Sequence, residues 1–175
     1  THIETLPPGW LGKNHALWVG AQKASGDYLL FTDADILFEP SSLSRCVRYA
    51  LEEQADHLTV IPHIVMPGFW SNIFLSGFGF FFMIYSRPWY ASHPGKKNHI
   101  GVGAFNLLKK ESYFAMGGHC PIALRPDDDM KLGKLVKKSG LRQRVAYARE
   151  WIEVEWYPSL SEAIKGLEKN AFAGM

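Results

Sequence analysis

The sequence has only two cysteines, Cys46 and Cys120, among its 175 residues. Two thiols make neither a disulfide scaffold nor a metal knuckle, so the chain reads as a reduced intracellular protein. An excess of charge of one sign is also missing. Nineteen Lys and Arg face 17 Asp and Glu, a net charge of +2. A nucleic-acid binder driven by overall charge is thereby excluded. The seven histidines are scattered without ligand spacing and read as structural. No internal repeat, low-complexity linker or signal-peptide pattern is found. Residues 57–86 hold no Asp, Glu, Lys or Arg at all. What is present in quantity is aromatic: six Trp, seven Tyr and eleven Phe. Such rings sit in a core, a sugar-like pocket or a membrane interface. With 47% hydrophobic and 21% charged residues the balance is globular, and the length fits one domain.

Residues 1–12 read as a loop, because Pro7-Pro8-Gly9 breaks regular structure. Residues 14–25 read as a helix ended by Gly26-Asp27. Residues 28–32 form an apolar run, read as a buried strand, that leads into Asp33-Ala34-Asp35. Pro40 opens a second helix and residues 57–62 a further strand. Strand, helix, strand at this spacing predicts a right-handed βαβ unit and a parallel sheet. Residues 100–108 read as a strand and 111–116 as a short helix. Residues 127–139 read as a helix that starts acidic and ends basic. Residues 142–148 and 151–156 read as two strands. Pro158-Ser159 starts the last helix, with Ser159 and Glu162 at capping-box spacing.

Five features bear on chemistry. Asp33 and Asp35, two positions apart after a strand, can point to one side. There they offer hard oxygens to Mg²⁺ or Mn²⁺ shared with phosphates; alternatively the segment is a turn with one Asp capping a helix. Asp127-Asp128-Asp129 crowd like charges at a helix start. That raises a carboxyl pKa toward general-base use, although acids also simply favour that end of a helix. Gly12-Lys13 at a helix start can meet a phosphate or be a solvated lysine. Gly101-Val102-Gly103-Ala104 lacks the order of a dinucleotide fingerprint, but its small residues let a ligand approach the backbone. Finally, residues 69–85 carry eight aromatics, interrupted by Ser71, Asn72, Ser76 and Gly77. This segment reads as a contact lying in a membrane surface, with Trp70, Trp89 and Tyr90 as an interfacial belt; a buried core element is the other reading. The seven bases of residues 131–149 suit anionic headgroups or a solvated face.

Taken in order, these motifs resemble a family 2 glycosyltransferase of the membrane-associated, lipid-, carotenoid- or hopanoid-glycosylating group. The resemblance rests on Leu6-Pro7-Pro8-Gly9-Trp10-Leu11-Gly12-Lys13, Gly26-Asp27 through Asp33-Ala34-Asp35, and Gly101 through Leu107 with Gly117-Gly118-His119. It also rests on Asp128-Asp129 with Leu132, Lys134, Val136 and Gly140, and on Trp156-Tyr157-Pro158-Ser159 through Gly166 and Lys169-Asn170. It implies an α/β fold of GT-A type, a mixed sheet flanked by helices. The family's first βαβ segment would precede Thr1, so the chain reads as a partial catalytic domain. Within it, residues 1–62 would form the donor and metal side, 63–99 the membrane-interface segment and 100–175 the acceptor side. The family's Gln/Arg-x-x-Arg-Trp motif is absent, with the stretch from Trp156 standing in its place.

The resemblance also implies roles. Asp35, with Asp33, would hold Mg²⁺ or Mn²⁺. Lys13, Gly103 and Ala104 would join them in binding the donor. Asp129, beside Asp128, would be the catalytic base of a single inverting displacement. The donor would be a nucleotide sugar, a UDP-sugar, and the acceptor a lipid or polyisoprenoid on the cytoplasmic face of the cell membrane. Alternatives are a soluble or polysaccharide acceptor, or a non-catalytic remnant that binds nucleotide sugar or docks on membranes. Intact Asp33, Asp35 and Asp129 argue against the last.

Overall fold

The computed structural model describes residues 3–173. In chain order the elements are α1 (Gly12–Lys23), β1 (Tyr28–Phe31), β2 (Ile36–Phe38), α2 (Ser42–Glu52), β3 (His57–Val65) and α3 (Phe69–Ser86). There follow β4 (Asn106–Lys109), α4 (Lys110–Ala115), α5 (Asp128–Lys138), β5 (Gln143–Glu155) and α6 (Leu160–Ala173). The expected helices are all found, within a few residues at their ends.

The sheet is mixed, in the order β1-β4-β3-β5-β2. The mixed sheet that the resemblance implied is found, and the parallel sheet predicted from the strand–helix–strand spacing is corrected. β1 and β3 do run the same way, but β4 lies between them and is antiparallel to both. Only β3 and β5 pair in parallel. β2, a three-residue strand not anticipated, folds back against the end of β5. The two strands expected at 142–148 and 151–156 are one strand, β5, whose register against β3 jumps from Pro62↔Ala148 to His63↔Glu153. Pro62 has no N–H for a ladder, and proline inside a sheet is accommodated at such irregularities. The strand expected at 100–108 is regular only from Asn106.

Helices cover both faces. On one, Cys46 and Ala50 of α2 meet Leu58, Val60, Phe105, Leu107 and Ile152. On the other, Ala21 of α1, Tyr113 of α4, and Leu132 and Val136 of α5 close over Leu29 and Leu108. Burying Leu132 and Val136 contributes about 1.5–3 kcal/mol each and fixes α5 against the sheet. Both thiols are free, Cys46 buried and Cys120 exposed.

α3 stands apart. Phe69, Trp70, Ile73, Phe80, Phe81, Ile84 and Tyr85 are all exposed along it. Its other side packs on α6 and, through Phe78, on the Trp156 ring at 5.0 Å. The segment Phe69–Tyr90 is long and apolar enough to cross a membrane. Its polar side chains donate to nearby backbone: Ser76 Oγ to Asn72 O, Ser86 Oγ to Phe82 O, and Asn72 Nδ2 to Met66 O and Gly68 O. Four of the bases from residues 131–149 are engaged internally. Lys137 donates to Ala91 and His93 carbonyls, Arg144 binds Glu53, Arg142 binds Gln54, and Lys131 pairs with Asp127. The side chains of Arg149, Lys169 and Asn170 lie outside the described residues.

Candidate active site

A small cleft opens beyond the end of β1, lined by Lys13, Phe31, Asp33, Gly103, His119, Asp128 and Asp129, among others. Three local arrangements build it. Asn14, buried in the first turn of α1, donates to the carbonyls of Ile122, Ala123 and Arg125 at 2.9–3.1 Å. This ties the start of α1 to the turn that leads into α5, and so brings Lys13 beside Asp128. β1 ends at Phe31, and Asp33 donates its backbone N–H to Gly103 O at 2.9 Å. Segment 100–103 then lies directly on α5. A Cβ on Gly101 would stand 1.8 Å from Asp129 O, and one on Gly133 would stand 2.1 Å from Ile100 O. Only residues without side chains allow these backbones to approach so closely.

The three adjacent aspartates occupy three environments. Asp127 faces Arg125 at 2.9 Å and Lys131 at 3.1 Å. Burial works to raise its pKa, but these cations outweigh burial and hold it below the usual value. Asp128 is buried, with Oδ1 3.1 Å from Lys13 Nζ. Burial lifts its pKa despite Lys13. Asp129 accepts Gly103 N–H on Oδ2 at 2.9 Å and Met130 N–H on Oδ1 at 2.7 Å. Burial, with neighbouring Asp128 adding to it, overrides these bonds and raises its pKa to about 6. The divergence follows from burial at Asp128 and Asp129 and from the paired cations at Asp127.

Lys13 bridges Asp128 and Asp33, the latter at 3.2 Å. Burial alone would lower its pKa; the two carboxylates reverse that and raise it, so the ammonium is permanent at neutral pH. A Cβ on Gly103 would stand 2.2 Å from Asp33 Oδ2. Gly103 therefore touches both acids, donating to Asp129 and accepting from Asp33. Ala104 is buried, and its carbonyl accepts Thr32 Oγ1–H at 2.9 Å.

The structure thus brings together Lys13, Asp33, Gly103, Asp128 and Asp129. It leaves Asp35 exposed in the turn between β1 and β2, outside the cleft lining. No cluster of three or more His, Cys, Asp or Glu placed to hold a metal ion occurs among the described residues. His119, treated as structural from its sequence, lines the cleft. It is buried, and its Nδ1 lies 2.7 Å from Tyr113 Oη. Burial, helped by Lys13, lowers its pKa to about 4, so the ring is neutral at pH 7. Its only sequence signal is the Gly117-Gly118 pair before it.

A larger cavity, about 460 Å³, lies at the opposite end of β1, lined by Tyr28, Asp56, Lys109 and Arg142. Its acid is fully engaged: Asp56 accepts from Ser112 Oγ at 2.9 Å and from Arg142 N at 2.8 Å. The reactive groups converge in the smaller cleft, and the chemistry is assigned there.

Comparison with known families finds a match between residues 2–114 and the model described as Glycosyl transferase family 2. No curated protein matches the chain.

Proposed function

The chain belongs to glycosyl transferase family 2, and from that premise we propose an inverting transfer from a UDP-sugar to a lipid or polyisoprenoid acceptor at a membrane surface. Membership makes it a glycosyltransferase that takes a nucleotide-sugar donor and an acceptor. Its mixed sheet flanked by helices is consistent with a GT-A-like fold.

One observation carries the mechanism: a carboxylate with a pKa raised to about 6 stands in the same cleft as a permanent cation. Asp129 takes the proton of the acceptor hydroxyl as that oxygen bonds to the anomeric carbon. The bond from that carbon to the diphosphate oxygen breaks in the same displacement, and the configuration inverts. A base with a pKa near 6 is ionised at neutral pH yet still accepts a proton readily. Lys13 stabilises the charge gathering on the departing diphosphate. No covalent enzyme intermediate is needed, so no activated Ser or Cys is required.

The chemistry of Asp33 and Asp35 suits a divalent cation, although Asp35 stands exposed outside the cleft lining. Asp33 and Asp35 offer only hard carboxylate oxygens, and Asp33 uses only Oδ1 on Lys13. Mg²⁺ is held through one or two carboxylates plus substrate phosphates. Asp35 and Asp33 would hold Mg²⁺ or Mn²⁺, which when bound supplies Lewis-acid stabilisation of the diphosphate. The exposed apolar side of α3 supports a lipid acceptor, because it lets the protein lie in the cytoplasmic bilayer surface. Internal satisfaction of Ser76, Ser86 and Asn72 suits that medium.

The test incubates the protein with a panel of UDP-sugars and vesicles containing polyisoprenol. Released UDP and the chromatographic shift of the lipid are measured. Lipid product from wild type, and none from Asp129→Asn, is expected. Sugar transfer to a soluble glycan with none to lipid would overturn the acceptor class. Undiminished transfer by Asp129→Asn would overturn the base.

A further inference from the structure

Behind the bond between Gly103 N–H and Asp129 lies a set of buried side chains drawn from the starts of three strands. Gln143 opens β5, His57 opens β3 and Asn106 opens β4, and each is at most 2% exposed. Gln143 Nε2 donates to His57 Nδ1 at 2.8 Å. Nδ1 is therefore the acceptor, and Nε2 carries the ring proton and donates to Asn106 Oδ1 at 3.0 Å. Asn106 Nδ2 donates to Val102 O at 2.7 Å. Thr59 Oγ1 accepts Val102 N–H at 3.1 Å and donates to Phe105 O. Gln143 holds Ile100 through both N–H and C=O, at 3.2 and 3.0 Å, and reaches Gly133 O of α5 at 3.3 Å.

The backbone polar groups of Ile100 and Val102 are thus fixed by side chains rather than by a strand ladder. The residue following is Gly103. Gln143 bonds both partners of the active-site contact: Ile100 in the loop that carries Gly103, and Gly133 in the helix that carries Asp129. Buried polar groups of this kind cost stability unless bonded, and here each polar side-chain atom of the three residues has a partner. The ring is neutral, as burial requires, with its pKa lowered to about 4. A core of the same volume made of Leu and Met would stabilise the sheet as well, but it would not aim a peptide N–H.

We propose that Gln143, His57 and Asn106 are positioning residues for the transfer reaction, acting through Val102 and Ile100 to hold the Gly103 N–H on Asp129. The role of Asp129 as base belongs to the function proposed above; the geometry of the loop does not depend on it.

Two readouts separate them. In protein labelled with ¹⁵N-glycine and ¹⁵N-valine, Gly103 and Val102 amide exchange is compared between wild type and Gln143→Met. A tenfold or greater acceleration is expected at both, with Val47, inside α2, unchanged. Unchanged exchange at Gly103 in a folded variant would overturn the proposal whatever the enzyme transfers. For activity, UDP release in the vesicle assay is followed in His57→Leu and His57→Gln. Gln can place an amide N–H where Nε2–H stood, and Leu cannot. His57→Leu is expected to lower kcat at least tenfold with donor KM within threefold, and His57→Gln to recover most of it. Equal kcat in the two variants, or a loss that follows their melting temperatures, would reduce the set to a structural role. Loss of loop protection without any UDP release from wild type would leave the positioning geometry standing and refute the transferase chemistry instead.

Discussion

Alanine at Gly101 and at Gly103 should separate folding from chemistry, although the two glycines are two residues apart. At position 101 the new Cβ would stand 1.8 Å from Asp129 O, a backbone atom. Ordinary contact begins at 3.4 Å, so two backbones must part by about 1.6 Å. Neither can give freely: Ile100 is clamped by Gln143, and α5 is anchored by buried Leu132 and Val136. Overpacking of this kind costs about 1–3 kcal/mol and more where nothing yields. About 3 kcal/mol corresponds to a fall of roughly 6–12 °C in Tm for a chain of this size. At position 103 the Cβ would stand 2.2 Å from Asp33 Oδ2, the free end of a side chain. That carboxylate can swing, at the expense of its contact with Lys13. Gly103→Ala should therefore melt within about 3 °C of wild type while losing most of its donor turnover. Thermal melts followed by circular dichroism, with UDP release on the same samples, make the comparison. A Gly101→Ala variant that melts like wild type would mean that the loop does not lie on α5, and the reasoning about the cleft would fail with it.

Five further outcomes are expected. Transfer should rise with pH through about 6, because Asp129 must be ionised to accept a proton. The same raised pKa makes Asp129 cost stability progressively as pH rises from about 4 to about 6, since the folded state holds the proton more tightly than the unfolded chain. Asp129→Asn should consequently melt higher than wild type at pH 7.5 and lose that advantage near pH 4, as a pair of melting curves would show. Lys13→Met should raise donor KM at least tenfold in steady-state kinetics. Phe80→Asp with Phe81→Asp should abolish vesicle co-sedimentation with no fall in Tm, both rings being exposed. Asp35→Ala should weaken Mn²⁺-dependent donor binding in calorimetry; identical metal dependence would remove Asp35 from the metal's ligands.

Local signals in the sequence located most elements. The apolar run of β1, the acidic start and basic end of α5, and the Ser159 cap, whose Oγ accepts Glu162 N–H at 3.3 Å, are each set within a few residues of chain. Long-range pairing was not legible. β4 enters between β1 and β3 after a wide excursion, and no periodicity in either neighbour announces it. Ile100 to Phe105 carries strand-forming residues, yet side chains from Thr59, Asn106 and Gln143 hold the backbone of Ile100 and Val102 in place of a ladder. In the site, Lys13, Asp33, Gly103, Asp128 and Asp129 were named from the sequence and do converge. The spacing of Asp33 and Asp35 did not distinguish the one inside the cleft from the one outside. His119, read as structural, and Asn14 carry no sign of their place in the site because burial, which gives each its role, is a property of the folded chain.

The sharing of Lys13 between two acids has a consequence for how a donor arrives. Three carboxylates, Asp33, Asp128 and Asp129, confront a single ammonium, and His119 adds no charge above about pH 4. With Asp129 ionised above about pH 6, the lining offers more carboxylates than cations, and in the metal-free protein an incoming diphosphate is repelled rather than steered. Added salt, which screens such repulsion, should quicken capture of the nucleotide, the reverse of what a basic phosphate-binding groove would give.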